Sequence, residues 1–137
     1  MRRCSVYVAG GSSEAALVSS YMRRLEAFGF TITHDWTVIV LDHQARGVTD
    51  AKLTLDEAEA HARADLDGVV QADCVWLIAP IAKSEGGWFE MGVAVGDGES
   101  HTIVSGITHN IFRTKADMVF ARHEEALAYI TRGVVPL

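Results

Sequence analysis

The chain has 137 residues, of which 49% are hydrophobic and 22% are charged, and this suits one globular domain over residues 1–137 with a substantial core. Its formal net charge is −6 and it has no concentrated basic cluster, which argues against binding to a nucleic-acid backbone. No apolar run is long enough to cross a membrane, and no extended apolar segment near the N-terminus ends in a signal-cleavage site, so we expect a cytoplasmic protein. Cys4 and Cys74 are expected to be buried free thiols.

The first predicted unit is a strand followed by a helix. SVYVAG, at residues 5–10, is a β-rich run that stops at Gly10-Gly11, after which Ser12 and Ser13 can cap a helix. The helix is predicted from Ala15 to Phe28, because apolar residues recur there at helical spacing. Its apolar stripe consists of Leu17, Val18, Tyr21, Leu25 and Phe28.

The second predicted unit contains a strand, a loop and a long helix. Gly29 ends the first helix, and FTITHDW, at residues 30–36, is predicted as the second strand. Residues 37 to about 53 are predicted to be irregular, and a loop of this length in a small domain is often functional. Thr54 and Glu57 have the capping-box spacing and predict a helix that runs to about Gln71. The buried stripe of that helix is expected to contain Leu55, Ala58, Ala62, Leu66 and Val69.

Three more strands and two more helices follow. CVWLIAP, at residues 74–80, is apolar throughout, as expected for a central parallel strand that is buried on both faces. A helix is predicted from about Trp88 to Val95, and HTIVSG, at residues 101–106, is predicted as the fourth strand. DMVFA, at residues 117–121, is a weak fifth strand before a last helix, HEEALAYITR.

The alternation of strands and helices predicts the α/β class. We expect a single doubly wound domain, flavodoxin-like or Rossmann-like, with a parallel sheet of about five strands and helices on both faces. In such folds, ligands bind beyond the carboxyl ends of the strands, where the strand order changes direction. The segments that reach this edge are residues 9–13, 34–50, 79–90 and 105–110.

Two glycine-containing segments at this edge have both a structural and a functional interpretation. Residues 10–13, GGSS, can cradle a phosphate or form a tight turn with a helix cap. Glu90 lies in the first turn of its helix, where it either offsets the helix dipole or presents a carboxylate to a ligand. Gly86-Gly87 leave room for a ligand, while Gly92 and Gly96 are expected to let this helix pack closely on the sheet.

Asp65, at the edge of the apolar stripe of its helix, is either a paired surface acid or a functional one. The histidines show no metal-ligand spacing and the cysteines form no CxxC, so no metal site is predicted. The first glycine turn lacks the spacing of a dinucleotide fingerprint and the lysine of a P-loop, so neither NAD binding nor NTP hydrolysis is expected. The absence of a GxSxG elbow argues against a serine hydrolase.

Three segments together resemble the nucleoside 2-deoxyribosyltransferase family, which includes the 2′-deoxynucleoside 5′-phosphate N-hydrolases. VYVAGG, at residues 6–11, resembles the opening strand, whose tyrosine, here Tyr7, orients the nucleophile. RADLDGVVQADCVWLIAP resembles the segment whose first aspartate, here Asp65, contacts the nucleobase and takes part in proton transfer. SEGGWFEMGVAVG resembles the segment that carries the nucleophile, here Glu90.

The resemblance implies cleavage of the N-glycosidic bond of a (deoxy)nucleoside or its 5′-monophosphate. The reaction would pass through a covalent glycosyl-Glu90 intermediate to another base or to water, without a metal or an organic cofactor. Ser84 stands where the transferases have an aspartate, and a serine there resembles the nucleotide-hydrolysing branch, in which it helps to hold the 5′-phosphate. The arginine that this branch uses in its first loop has no match in GGSSEAAL. Both substrate forms and both acceptors therefore stay open.

Several other residues are expected to contact the substrate. Ser84 and either Ser12 or Ser13 are expected to contact the sugar or its 5′ end. Trp36 and Trp88 either stack on the base or are ordinary packing residues. Because members of the family commonly build each site at a subunit interface, the resemblance implies a homodimer or a larger homo-oligomer, with Ser105 or Asn110 supplied to a neighbour's site. The expected substrate-binding residues are Gly10, Ser12, Ser13, Trp36, Ser84, Gly86, Trp88, Ser105 and Asn110.

Three alternatives stay open from the sequence. EGGWFE, at residues 85–90, also resembles the GG…E segment of the phosphoribohydrolases that activate cytokinins, whose product would be ribose 5-phosphate. A non-catalytic nucleotide-binding module on the same fold would bind a nucleotide and release no base. A structural or interaction domain would do neither.

Overall fold

The computed structural model describes residues 4–49 and 52–133, and its centre is a parallel sheet of five strands. The strands are β1 (Ser5–Ala9), β2 (Thr31–Ile32), β3 (Cys74–Ile78), β4 (His101–Ser105) and β5 (Met118–Phe120). Their spatial order is β2-β1-β3-β4-β5, so the chain leaves β1 toward one edge and returns to the other side of it. This confirms the predicted α/β class with a flavodoxin-like parallel sheet, and the order reverses between β1 and β3.

Five α-helices in the described ranges cover both faces of the sheet. They are α1 (Ala15–Ala27), α2 (Thr37–Ala45), α3 (Leu55–Gln71), α4 (Gly86–Asp97) and α5 (His123–Thr131). Right-handed crossovers place α3 and α4 together on one face, while α1 packs against α5 on the other. None of the helices within the described ranges is both long and apolar enough to cross a membrane.

The core is formed by β1, β3 and β4 and by the inner faces of the helices. All five residues of β3 are buried, as predicted for a central strand, and Cys4 and Cys74 are buried free thiols, as expected. In α1, Val18, Tyr21 and Leu25 are buried as predicted. Leu17 and Phe28 are exposed instead, because Leu17 lies one residue away from the buried stripe and Phe28 follows the last helical turn.

The capping signals that were read from the sequence are present. Thr54 Oγ1 accepts a hydrogen bond from the Glu57 N–H at 3.1 Å, and Glu57 Oε1 accepts one from the Thr54 N–H at 3.2 Å. This capping box starts α3 where predicted, and such caps contribute about 1 kcal/mol. Gly29 has a φ of 92°, which an L side chain rarely adopts, and it ends the turn after α1.

The segment from 30 to 53 differs from its prediction. The second strand contains only Thr31–Ile32, and α2 occupies Thr37–Ala45, where an irregular loop was expected. Asp35 starts this helix, since its Oδ1 accepts hydrogen bonds from both the N–H and the hydroxyl of Thr37. The loop prediction is therefore wrong for residues 37–45, while residues 50 and 51 lie outside the described ranges.

The buried stripe that was predicted for α3 is also largely wrong. Val69 is buried, but Leu55 is 90% exposed, and Ala58 and Ala62 are exposed as well. The N-terminal half of α3 extends past the carboxyl ends of the strands, so its apolar residues have no sheet to cover there. Ala58 and Ala62 border an open cleft instead.

Candidate active site

A cleft of about 740 Å³ opens at the carboxyl ends of β1 and β3, where the strand order reverses. Its walls are the loop after β1, the helices α2 and α3, and the first turns of α4. Three of the four segments that the sequence assigned to this edge contribute to the lining. The cleft therefore lies where ligands bind in doubly wound sheets.

Glu90 lies at the inner end of the cleft on α4, and its side chain is only 8% exposed. Its Oε2 atom accepts a hydrogen bond of 2.5 Å from the hydroxyl of Tyr7, which is buried on β1. Burial raises the pKa of Glu90 to about 8, the Tyr7 hydrogen bond lowers it, and the charge of Asp65 raises it. Burial and the neighbouring Glu90 charge raise the pKa of Tyr7 far above its ordinary value, so the phenol stays a donor.

Asp65 is the second acid of the cleft and is half-buried on α3. Its Oδ1 atom lies 3.2 Å from Nε2 of His34, in the loop after β2. Burial raises the pKa of Asp65, while His34 and His61 act in the opposite direction. The cleft therefore brings together two carboxyl groups, and each has one hydrogen-bonding or ion-pairing partner that fixes its direction.

Close packing at two glycines positions the two acids. A Cβ atom on Gly87 would lie 2.9 Å from Leu77 Cδ1 and 3.3 Å from the Gly10 carbonyl oxygen, so any side chain there would require Leu77 or the start of α4 to shift. A Cβ atom on Gly68 would lie 2.7 Å from His34 Cβ and 2.9 Å from Tyr7 Cδ2. Gly68 thus lets α3 approach Tyr7, the partner of Glu90, and His34, the partner of Asp65.

The role predicted for Gly92 and Gly96 is wrong. A Cβ atom on either residue would meet nothing within 4 Å, so both face open space and do not bring α4 closer to the sheet. The glycine that serves this purpose is Gly87, at the start of the helix. The room that was predicted for a ligand at Gly86-Gly87 is present only at Gly86, which has open space around it and lines the cleft, whereas Gly87 packs against Leu77 and Gly10.

Five of the predicted substrate-binding residues line the cleft together with Glu90 and Asp65. Trp36 is buried in its floor, where Nε1–H donates a hydrogen bond of 2.8 Å to the Val8 carbonyl oxygen. The donor is therefore occupied, and the ring is held in one orientation. The lining residues of this predicted set are Gly10, Ser12, Trp36, Ser84 and Gly86.

The other four predicted residues are not part of the cleft. Ser13 is exposed next to it, and Trp88 and Asn110 line a neighbouring hollow of about 390 Å³ on the far side of Ser84. Ser105 is fully buried, with its Oγ accepting from Trp76 Nε1–H at 2.8 Å and lying 2.7 Å from His123 Nδ1. Ser105 is thus held in the core and is not placed to reach a neighbouring subunit.

Three histidines line the cleft and were not predicted as site residues: His34, His43 and His61. His34 could have been found, because it follows a strand of a parallel sheet at the carboxyl end. His43 was missed because residues 37–53 were predicted to be an irregular loop, whereas α2 is the helix that places His43 on the cleft. Among residues 4–49 and 52–133, no cluster of histidine, cysteine, aspartate and glutamate could hold a metal ion.

The arrangement of side chains suits acid-base and nucleophilic chemistry at a small organic ligand. A buried carboxyl group with a fixed oxygen is suited to attack an electron-poor carbon, and a second acid near it can give or take a proton. No family model matches the chain, and no curated protein matches it either. The assignment of a function therefore depends on the residues of this cleft.

Proposed function

We propose that the chain is a nucleoside 2-deoxyribosyltransferase or a deoxynucleotide N-glycosidase. It would cleave the N-glycosidic bond of a deoxynucleoside or its 5′-monophosphate and pass the deoxyribosyl group to another base or to water. The observation that carries the proposal is the pair Glu90–Tyr7, a buried carboxyl group fixed by a phenol, in one cleft with a second acid, Asp65.

In the first step, the C1′–N bond breaks and its electron pair stays on the base nitrogen. The free oxygen of the Glu90 carboxylate forms a bond to C1′, which is electron-poor in the transition state. Asp65 gives its proton to the departing base. The products of this step are a free base and a glycosyl ester on Glu90.

In the second step, water or the nitrogen of another base attacks C1′ on the opposite side from the ester bond. The C1′–O bond to Glu90 breaks, and its electron pair returns to the carboxylate. Asp65 takes the proton that the attacking group loses, so the same residue serves as acid and then as base. The configuration at C1′ is retained, because two inversions take place.

The protonation states follow from the electrostatics of the cleft. Burial raises the pKa of both acids, and the pKa of Glu90 of about 8 means that the pair still holds one proton near neutral pH. The reacting form has this proton on Asp65 and the charge on Glu90, where the Tyr7 hydroxyl stabilises it. His34 keeps the Asp65 carboxyl group directed, since it lies 3.2 Å from one of its oxygens.

The remaining lining residues suit the two ends of such a substrate. Ser12 and Ser84 are hydroxyl donors near Gly10 and Gly86, and they would bind the sugar or its 5′ end. The base would lie toward Asp65, over the fixed ring of Trp36. No metal or organic cofactor has a part in this scheme, which we place in the cytoplasm.

We also propose that the protein forms a homodimer or a larger homo-oligomer. An exposed apolar patch, here called the β4-loop patch, lies at the same edge of the sheet as the cleft. It consists of Ile81, Ile107, Ile111 and Phe112. Apolar groups that are concentrated in this way favour burial against a partner, and a second copy would cover the patch beside the hollow at Ser84.

The experiment that tests the function is a base-release assay. The protein is incubated with a panel of deoxynucleosides, deoxynucleotides and their ribose counterparts, with and without a second free base, and release is followed by chromatography. Glu90→Gln and Asp65→Asn should lose release, while Glu99→Gln, an exposed acid beyond α4, should retain it. If Glu90→Gln released base as fast as the parent protein, the proposed nucleophile would be excluded.

A further inference from the structure

The two serines that are proposed for the sugar end of the substrate lie on different loops. Ser12 is in the β1–α1 loop, residues 10–14, and Ser84 is in the β3–α4 loop, residues 79–85. These loops follow two strands that pair side by side, at the point where the strand order reverses. One group of a substrate can contact both serines only if the two loops keep a fixed position relative to each other.

The two loops touch at Gly11. A Cβ atom on Gly11 would lie 3.0 Å from Cβ of Pro80 and 3.3 Å from Cβ of Ser84, so the backbone of the β1–α1 loop packs directly against Ser84. Van der Waals contacts of this kind are individually weak and have little directional preference. They set how near the loops come, but they do not hold the β3–α4 loop in one position.

A hydrogen bond joins the two loops, and its acceptor is Glu14. Oε1 of Glu14 accepts a hydrogen bond of 2.8 Å from the backbone N–H of Ile81. Among the backbone N–H groups of residues 80–85, that of Ile81 is the only one with an acceptor in the described part of the chain. The hydrogen-bonded attachment of the β3–α4 loop to the β1–α1 loop therefore depends on one carboxylate.

The position of Glu14 at the start of α1 does not account for this contact. Glu14 is the N-cap of α1, where a polar side chain commonly accepts a hydrogen bond from the first turn of its own helix, but its side chain makes no such bond. Within residues 4–49 and 52–133 it forms no ion pair either. Its carboxylate is directed instead at a loop that lies 67 positions later in the chain.

The β1–α1 loop is held from its other side by α2. Nε2 of Gln44 donates a hydrogen bond of 2.9 Å to the carbonyl oxygen of Ser12. The backbone at Ser12 is therefore fixed against one wall of the cleft. Glu14, two residues later, connects the loop that carries Ser84 to the same segment.

We propose that Glu14 is a positioning residue, whose carboxylate holds the β3–α4 loop so that Ser12 and Ser84 together contact the 5′ end of the sugar. This inference deepens the proposed function and rests on it, since it concerns the same site. Glu14 acts through Ser84 and does not touch the substrate, because it is not among the residues that line the cleft. Without its carboxylate, we expect Ser84 to move away from Ser12 and the 5′ group of the substrate to bind more weakly.

The test compares two variants of Glu14 on a substrate that the parent protein cleaves and on its 5′-deoxy analogue, which lacks the hydroxyl or phosphate group at that carbon. Glu14→Ala removes the acceptor, while Glu14→Gln keeps an amide oxygen for the Ile81 N–H. Glu14→Ala should lower kcat/KM of the complete substrate about tenfold, chiefly by raising KM, because a hydrogen bond to a charged group is worth about that factor. Its kcat/KM on the 5′-deoxy analogue, and that of Glu14→Gln on both substrates, should stay within about threefold of the parent values.

The same variants separate positioning from stability. Both remove the negative charge at the start of α1, so a loss of helix-dipole stabilisation would affect them equally. Glu99→Ala, at an exposed acid beyond α4, should behave as the parent protein on both substrates. A loss in Glu14→Ala that is equal on the two substrates, or a loss that is equal in the two Glu14 variants, would overturn the inference and leave the proposed function intact.

Amide hydrogen exchange, measured by NMR, keeps the inference testable if the parent protein releases no base. The Ile81 N–H should exchange about tenfold faster in Glu14→Ala than in the parent protein, since its acceptor is gone, and Glu14→Gln should keep most of the protection. This result with no base release would retain the connection between the two loops and reject the proposed function. Equal exchange of the Ile81 N–H in all three proteins would contradict the inference, whether or not base is released.

Discussion

Glu90 is a buried acid whose hydrogen-bond donor is a phenol and not a cation. Within the described residues it forms no ion pair, and its contact with Tyr7 leaves one carboxylate oxygen without a protein donor. An acid that only balanced the dipole of α4 would gain nothing from this burial, because burial favours its neutral form. The environment of Glu90 is therefore easier to explain by chemistry at the cleft than by stability.

The first prediction at this scale concerns the pH profile of the two acids. The reacting form has one proton on the pair, so kcat/KM of the parent protein should fall as pH rises through about 8, where that proton is lost. Asp65→Asn removes the proton donor, so the rate of this variant depends only on the fraction of Glu90 that is ionised. Its kcat/KM should be lower by a factor of about 10²–10⁴ and should rise with pH through the Glu90 pKa.

Steady-state kinetics of the parent protein and Asp65→Asn between pH 5 and pH 10 would check this reversal. The reversal in slope distinguishes a proton donor from a residue that merely supports the fold, since a structural defect lowers the rate at every pH. Profiles of the same shape for both proteins would contradict the role of Asp65.

The second prediction concerns stability. The pKa of Glu90 is raised in the folded state, from an ordinary 4.5 to about 8, so the folded state favours the protonated acid. Its stabilising contribution is complete below pH 4.5 and is lost as pH rises through 8. Glu90→Gln cannot ionise and keeps an oxygen for Tyr7, so its free energy of unfolding should exceed that of the parent protein increasingly between these two pH values.

Urea denaturation at a series of pH values measures this difference, and Glu99→Gln serves as the exposed control. A difference between Glu90→Gln and the parent protein that is constant with pH would mean that Glu90 titrates normally. The burial of its charge would then have no energetic consequence.

At the scale of elements, the start of α4 sets the position of Glu90. The third prediction is that Gly87→Ala lowers base release, because its Cβ would lie 2.9 Å from Leu77 Cδ1 and 3.3 Å from the Gly10 carbonyl oxygen, so that the buried Leu77 side chain or the first turn of α4 must shift. Gly92→Ala is the matched control on the same helix, where a Cβ meets nothing within 4 Å. It should keep activity and gain up to about 1 kcal/mol of stability from helix propensity.

Activity assays and thermal unfolding of the two variants separate the effects. Equal activity of Gly87→Ala and the parent protein would show that the close contact does not position Glu90. A loss of activity in Gly92→Ala would indicate instead that α4 packs against something on its outer face.

The elements that the sequence predicted correctly are those with a strong local signal. β3 is apolar at every position, and α3 begins at a capping box that uses only neighbouring residues. α2 was missed because its N-cap, Trp36, makes no side-chain capping hydrogen bond, and because its apolar residues face the cleft and the solvent. Val38, for example, is exposed.

Tyr7 and Asp65 were predicted as site residues only from the resemblance to a known family, since Tyr7 lies within β1 and Asp65 within α3. Glu90 was also suggested by its place in the first turn of the helix after β3. Glu90, Asp65 and Tyr7 were identified in advance, and the structure brings them together. His34 was missed because the second strand was predicted to continue through it, while the strand ends at Ile32. Whether His43 and His61 line the cleft depends on how α2 and α3 lie relative to each other. The hydrophobic periodicity of a single segment carries no information on this.

At the scale of the whole molecule, the strand order produces the cleft. The reversal between β1 and β3 separates the loops that follow these strands, and α2 and α3 form a wall beside the opening. Tyr7 and Glu90 come from opposite sides of this reversal, since one lies on β1 and the other on the helix after β3. The pair therefore depends on the pairing of β1 with β3.

The fourth prediction is that the β4-loop patch holds two copies together. Light scattering after size exclusion should give at least twice the mass of one chain, which is 14.9 kDa. Phe112→Glu should lower the mass, because it places a charge in the exposed apolar patch that a second copy would cover. Leu55→Glu, at a residue that is 90% exposed on α3, should not. A monomeric parent protein would contradict the assembly.

The covalent intermediate is the most direct test of the central claim, that Glu90 attacks the sugar. The protein is mixed with a deoxynucleoside that it cleaves, quenched in acid within the first turnover, digested and analysed by mass spectrometry. The account predicts a deoxyribosyl adduct on Glu90 in the parent protein and none in Glu90→Gln. Rapid base release with an unmodified Glu90, or an adduct on another residue, would contradict it.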